Sequence, residues 1–150
     1  MNIQHIMERD VITLHENTSY KDAVRTLHDH QISGCPVVDA KDQLVGIVTQ
    51  LDLLRILFPY YDSYYRTPEA YANPEDRESK ATEIRLHAVS TFMSRQVITA
   101  TPDMPMIHAA GIMLAHHIQH LPVLEGDRLV GFVTRQQILR EIFKKNFNLN

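Results

Sequence analysis

Residues 44–52 read Leu-Val-Gly-Ile-Val-Thr-Gln-Leu-Asp, and residues 129–137 read Leu-Val-Gly-Phe-Val-Thr-Arg-Gln-Gln. The likeness extends outward on both sides. Pro36-Val37 matches Pro122-Val123, and Val11-Ile12-Thr13 matches Val97-Ile98-Thr99. The two copies are 86 residues apart at Met7/Met93 and 85 apart at Thr49/Thr134, so the second copy is one residue shorter in the turn between these points. An internal repeat fixes the unit of architecture before any other signal. Two copies, rather than three or more, imply a pseudo-symmetric pair and not a solenoid.

Each copy has one grammar. An apolar stretch opens it, Asp10–Leu14 and Gln96–Ala100. A helix follows. In the first copy Ser19 and Asp22 form a capping-box pattern, Ala23, Val24 and Leu27 recur at helical spacing, and Ser33-Gly34 stops the element. In the second, Asp103 is the expected cap, Pro105 lies in the first turn, and Ile107, Ala110 and Leu114 form the expected apolar stripe. Two β-rich runs come next, Pro36–Val38 and Leu44–Thr49 in the first copy, Pro122–Leu124 and Leu129–Thr134 in the second, each pair joined by polar turn residues. A closing helix is expected over Leu51–Phe58 and from Gln136 to about Lys145. The fold class is therefore α/β (α+β): two pseudo-symmetric β-α-β-β-α repeats packed together, with small sheets covered by helices. Residues 1–58 are the first repeat and 89–150 the second.

Residues 59–88 belong to neither copy and form a Tyr-rich insert and linker helix. Five of the six tyrosines lie between Tyr60 and Tyr71. Asn73-Pro74 has the pattern of a helix start, with Glu75 and Asp76 behind it and Ala81, Ile84 and Ala88 as a thin apolar stripe. The segment reads as a connector whose aromatics pack on their own domain, or as a lid or oligomer contact.

Composition narrows the class. The 150 residues are 44% hydrophobic with a net charge of −3, and mean hydropathy is −0.23. No apolar run approaches the roughly 20 residues of a membrane span. Met1–His5 lacks the regions of a signal peptide, and the single Cys35 excludes an internal disulfide, so a cytoplasmic location is expected. The acidic balance disfavours nucleic acid as a partner. There is no P-loop, nucleophile elbow or HExxH sequence, so an enzyme is not expected and no catalytic residue is nominated.

The duplicated pattern of V-I-T, an apolar helix, x-P-V and L-V-G-[IF]-V-T resembles a tandem pair of cystathionine-β-synthase-type (CBS) domains, called a Bateman module. The resemblance covers both repeats and leaves out the insert and the termini. It implies a stand-alone regulatory module that binds adenosine-containing ligands (AMP, ADP, ATP or S-adenosylmethionine) in clefts between the copies, forms homodimers, and acts on an effector protein of unknown identity. No other cofactor is implied.

Thr49-Gln50-Leu51-Asp52 ends a strand and opens a helix. A carboxylate there can accept hydrogen bonds from both hydroxyls of a ribose, and its charge strengthens them. The free N–H groups of the helix start suit a phosphate, although the same geometry also serves an ordinary cap. The resemblance implies that a primary site using Thr49 and Asp52 is completed by Ile98, Thr99, Gln119, His120, Leu121 and Pro122. Ile98 and Leu121 would flank the adenine, and His120 would face phosphate. The second site would use Ile12, Thr13, Ser33, Gly34, Cys35, Pro36, Thr134, Arg135 and Gln137. It departs from the pattern, because Gln137 stands where aspartate would grip the ribose. The second site is therefore expected to be weakened, empty or altered in preference, leaving one good site per chain, with Arg135 as the cation that could still meet a phosphate.

His116, His117 and His120 invite a metal reading, but the helix is expected to end near His117, so no metal site is nominated. Cys35, before a proline at a strand start, reads as an apolar filler. Three functions stand open at this point: an adenine-nucleotide sensor working through a partner or homodimer, a ligand-free homodimerisation or assembly module, and an S-adenosylmethionine sensor.

Overall fold

Ser19 is extended, and its Oγ accepts the Asp22 N–H at 3.1 Å, opening helix α1 over Tyr20–Asp29. The elements before and after it follow the expected order. In the first repeat they are β1 (Leu14–His15), α1, β2 (Gly34–Val38), β3 (Leu44–Thr49) and α2 (Gln50–Leu57). In the second they are α3 (Met106–His116), β4 (His120–Glu125), β5 (Arg128–Thr134) and α4 (Arg135–Phe147). Short 3₁₀ turns lie at Ile3–His5 and Val89–Thr91. The computed structural model describes residues 1–58, 65–67, 69 and 83–149.

The chain divides into two compact units, and each repeat lends its opening segment to the unit built mainly from the other. Unit 1 comprises Met1–Ile12, Ala40–Leu44 and Gln96–Asn150; unit 2 comprises Thr13–Asp39 and Val45–Arg95.

In unit 2, strands run in the order β1-β2-β3, with β1 parallel to β2 through Leu14↔Val37 and His15↔Val38. All five residues of β2 are buried, as expected for a strand covered on both faces. Tyr20, Ala23 and Leu27 turn inward from α1, a spacing of three and four that fits one helix face. The Tyr20 hydroxyl donates to the Leu53 carbonyl at 2.9 Å, and its ring meets Phe92 edge-on at 5.5 Å. The segment that opens the second repeat, before α3, contributes here: Met93 and Val89 are buried, and Ser94 pairs with Ile47.

Unit 1 repeats the plan. Strands β4 and β5 are antiparallel with a bulge between Val123 and Leu124, and Ala100 joins Val123 by one parallel bridge, the counterpart of Leu14↔Val37. The core holds Met106, Ala109 and Met113 from α3, Leu121, Val123, Val133 and Ile138, together with Ile3 and Met7 from the start of the chain. Glu8 pairs with Phe132 as Ser94 pairs with Ile47.

Two glycines make these segment dockings possible. A β-carbon at Gly46 would lie 2.6 Å from the Met93 sulfur and 3.0 Å from the Ser94 carbonyl oxygen. A β-carbon at Gly131 would collide in the same way with the Met7 side chain. The matched Leu-Val-Gly motifs are therefore the floors on which the matched methionines sit.

Several local expectations need correction. Helix α1 does not run to Ser33-Gly34: it stops at Asp29, with Gln31 left-handed at φ 53°, and Gly34 begins β2. The second repeat reverses its chain at His117 with φ 54°, the equivalent position. Pro105, not Asp103, is the N-cap residue of α3, and Asp103 instead accepts the Thr101 hydroxyl at 2.7 Å. The buried face of α3 is Met106/Ala109/Met113, one residue before the expected stripe; Ile107 is 69% and Leu114 71% exposed. Val24, expected inside, is on the exposed side of α1. The opening stretches are shorter as strands than expected, β1 being Leu14–His15 alone and Ala100 a single bridge. Of the insert, Tyr60, Tyr61, Tyr64, Tyr71, Asn73, Pro74, Glu75, Asp76 and Ala81 lie outside the described residues. Ile84 is buried, but Ala88 is extended and bridges Ser19, so it does not continue a helix.

Candidate functional site

The start of α2 is a closed capping box. Thr49 is extended at φ −117° and ψ 166°, and its Oγ1 accepts the Asp52 N–H at 3.3 Å. In return Asp52 Oδ2 accepts the Thr49 N–H at 2.9 Å and the Thr49 hydroxyl at 3.1 Å. The other carboxylate oxygen, Oδ1, accepts the Ser94 hydroxyl at 2.9 Å. Asp52 is only 6% exposed, and three donors satisfy its buried oxygens. A carboxylate has about four acceptor directions, so a bound diol must either use the remaining one or displace Ser94. Backbone support comes from Ser33, whose carbonyl accepts the Gln50 N–H at 3.0 Å.

The start of α4 is the same device with an amide. Thr134 Oγ1 accepts the Gln137 N–H at 3.2 Å, and Gln137 Oε1 accepts the Thr134 N–H at 2.8 Å and the Thr134 hydroxyl at 3.3 Å. The Gln119 carbonyl accepts the Arg135 N–H at 2.9 Å, matching the Ser33–Gln50 contact.

The remaining nominated residues fall out as follows, each within its own unit. In unit 1, Leu121 and Pro122 are fully buried on β4, Ile98 is half-buried against the core, Thr99 is half-buried and Gln119 is exposed. His120, nominated for phosphate, is 8% exposed and stacks on Phe132 at 5.7 Å. Ile12 is half-buried and Arg135 is exposed. In unit 2, Thr13 is exposed, Ser33 half-buried, and Gly34, Cys35 and Pro36 are buried in β2. Burial pushes the Cys35 thiol up to about 12, opposed in smaller measure by a backbone hydrogen bond at Leu14. Such a thiol stays protonated and is a filler, not a nucleophile.

A cavity of about 350 Å³ in unit 1 is lined by Arg9, Glu125, Arg128, Leu129 and Val130, none of them a nominated residue. Arg9 there donates to the Gln4 carbonyl at 3.0 Å, and Arg95 makes the equivalent bond to Ser90 at 2.7 Å, so this arginine clasps its own segment in both repeats. Among the described residues, no group of three or more His, Cys, Asp or Glu is placed to hold a metal ion, and no helix is long and apolar enough to cross a membrane.

Sequence reasoning singled out Thr49 and Asp52 but passed over Ser94. Its signal was faint: it follows Met93, the partner of Met7, and the equivalent residue is the dissimilar Glu8.

A family model described as CBS domain matches residues 3–59 and 89–144. This chain belongs to the CBS domain family. The match takes in both repeats, so the chain is a tandem CBS pair. It is 31% identical over 144 residues to a CBS domain-containing protein of Dictyostelium discoideum, covering 95% of this chain and 91% of that one. It is 27% identical to an uncharacterized protein of Methanocaldococcus jannaschii, but spans only 41% of that longer chain. Among solved structures, it resembles a CBS domain pair in complex with 5′-methylthioadenosine and S-adenosyl-L-methionine, with a TM-score of 0.74, 29% identity, and coverage of 97% and 98% of the two chains.

Proposed function

We propose that this CBS pair is a regulatory sensor of adenosine-containing nucleotides (AMP, ADP or ATP), acting through a homodimer or an effector protein rather than by catalysis. The observation that carries this reading is the Thr49–Asp52 box. A charged acceptor is fixed at the positive end of a helix, an arrangement suited to a sugar diol with a phosphate nearby. Thr49 and Asp52 are the proposed ribose contacts, with Ile98, Thr99 and Gln119 to Pro122 as the proposed adenine and phosphate contacts. The α4 start, with an amide in place of the acid, is the proposed weaker position.

Regulation requires that ligand bind one conformation better than another. Asp52 supplies a means, since its Oδ1 already holds Ser94 of the second repeat's opening segment. A diol taking that oxygen changes what anchors the segment.

A thermal-shift titration against AMP, ADP, ATP, S-adenosylmethionine and GMP tests the reading. A ligand that binds only the folded state raises its stability by mass action. The expected result is a shift with an adenine nucleotide that is lost in Asp52→Asn. No shift at millimolar concentration with any of them contradicts it.

Two specific observations favour other readings. The relative bound to methylthioadenosine and S-adenosylmethionine favours a sensor of the sulfonium nucleoside, which the same titration separates. Exposed Ile107 and Leu114 on α3, with Leu139, Phe143 and Phe147 on α4, favour a homodimerisation module. In that case the oligomeric state is insensitive to nucleotide and responds to Leu114→Glu.

A further inference from the structure

The two helix starts differ in chemistry, and the difference is matched on the segments that face them. Ser94 and Ile47 exchange both backbone hydrogen bonds, each at 2.9 Å. Glu8 and Phe132 do the same at 2.9 and 3.0 Å. Ile47 precedes Asp52 by five residues, and Phe132 precedes Gln137 by five. Residue 8 therefore stands toward the start of α4 as residue 94 stands toward the start of α2.

In unit 2 the facing residue is a hydroxyl donor, and it meets a carboxylate oxygen at 2.9 Å. In unit 1 the facing residue is itself an acid. The Thr134 N–H can only donate, so the atom of Gln137 that meets it at 2.8 Å must be the amide oxygen. Gln137 Nε2 is thereby the counterpart of Asp52 Oδ1, the end of the side chain not used by the cap. Glu8 folds back, its Oε1 accepting the Asp10 N–H at 2.9 Å. Each pair thus contains one carboxylate and one neutral group, with the acid on the helix in one unit and on the facing segment in the other. Two acids at either pair would repel at short range and resist joint ionisation.

We infer that Glu8 and Ser94 are specificity-determining residues of the two candidate positions. Ser94 permits an acid at the α2 start. Glu8 excludes one at the α4 start, and so confines recognition of a sugar diol to Asp52. This rests on the proposed role of Asp52 and adds the reason for the asymmetry.

The test compares wild type, Glu8→Ser, Gln137→Asp and the double variant by titration calorimetry with AMP and with S-adenosylmethionine, and by thermal unfolding. Gln137→Asp alone should lower the melting temperature and leave the stoichiometry at one. Adding Glu8→Ser should restore the melting temperature and give a second equivalent, because the α4 start then repeats the α2 pair. A second equivalent in Gln137→Asp alone, or none in a folded double variant, overturns the inference while Asp52→Asn still reports separately on the proposed function. If wild type binds neither probe, that function falls. The inference is then decided by unfolding: non-additive melting temperatures support the Glu8–Gln137 pairing, and additive ones overturn it.

Discussion

The Met93 sulfur lies against Gly46, 2.6 Å from the point a β-carbon there would occupy, and Met7 stands in the same relation to Gly131. Each methionine belongs to the opening segment of one repeat, and each glycine to the motif of the other. Gly46→Ala must therefore push both the Met93 side chain and the Ser94 backbone. Overpacking of this kind costs about 1–3 kcal/mol. Chemical denaturation should show a loss of that order for Gly46→Ala and for Gly131→Ala, with partial recovery when the facing methionine is shortened to alanine. Stability equal to wild type in both would show that the segments are not held on these floors.

Ile3 is fully buried in the unit 1 core, far in sequence from the residues it packs with. Large-to-small changes at such sites cost about 2–5 kcal/mol. Ile3→Ala should fall in that range by urea unfolding, whereas an equivalent change at exposed Leu114 should be within about 0.5 kcal/mol. A small effect at Ile3 would mean that the chain start is not part of the core.

How much of this was legible in the chain varies with the kind of contact. The cap at Thr49 was readable because partner and cap lie three residues apart on one helix start; the matching box at Thr134 goes unread, because glutamine there reads only as a ligand group. The inward face of α3 was not readable either. Met106 to Leu114 is apolar on nearly every side, so spacing alone cannot choose between neighbouring stripes, and packing on Ile3, Met7 and Leu121 chooses. Ser94 was unreadable for a different reason. Its partner Asp52 is 42 residues away in the other repeat, and only the docking of the opening segment joins them.

Burial raises the Cys35 thiol to about 12 and also raises the Tyr20 phenol. An unfolded cysteine ionises near 8.5. Below that pH both states hold the proton and Cys35 contributes no pH dependence. Above it the unfolded chain releases a proton that the folded chain keeps, so stability falls as pH rises toward 12. Melting temperature should decline from about pH 9 upward, and less steeply in Cys35→Ala. Ellman's reagent at pH 8 should leave the native thiol unmodified until denaturant is added. Rapid labelling of the native protein would contradict the burial.

The threonine hydroxyl at each helix start accepts the N–H of the residue three places on and donates to that residue's side-chain oxygen. Thr134→Ala removes a cap worth about 1 kcal/mol. Thr49→Ala should cost more, because the hydroxyl it removes donates to a buried carboxylate, whereas that of Thr134 donates to a neutral amide. Equal losses in the two variants, measured by denaturation at pH 7, would show that the Asp52 charge does not depend on Thr49.

The central claim is that the Asp52 carboxylate accepts the hydroxyls of a ribose. The most direct measurement is the affinity of AMP against 2′,3′-dideoxy-AMP, by calorimetry, in wild type and in Asp52→Asn. The substitution keeps an oxygen for the Thr49 N–H, as Gln137 does for Thr134, so the cap survives while the charged acceptor is lost. Wild type should prefer AMP by about 1.5–3 kcal/mol, the worth of hydrogen bonds to a charged group, and the preference should collapse in the variant. An equal preference in both proteins would remove Asp52 from the ligand site and leave it a helix cap.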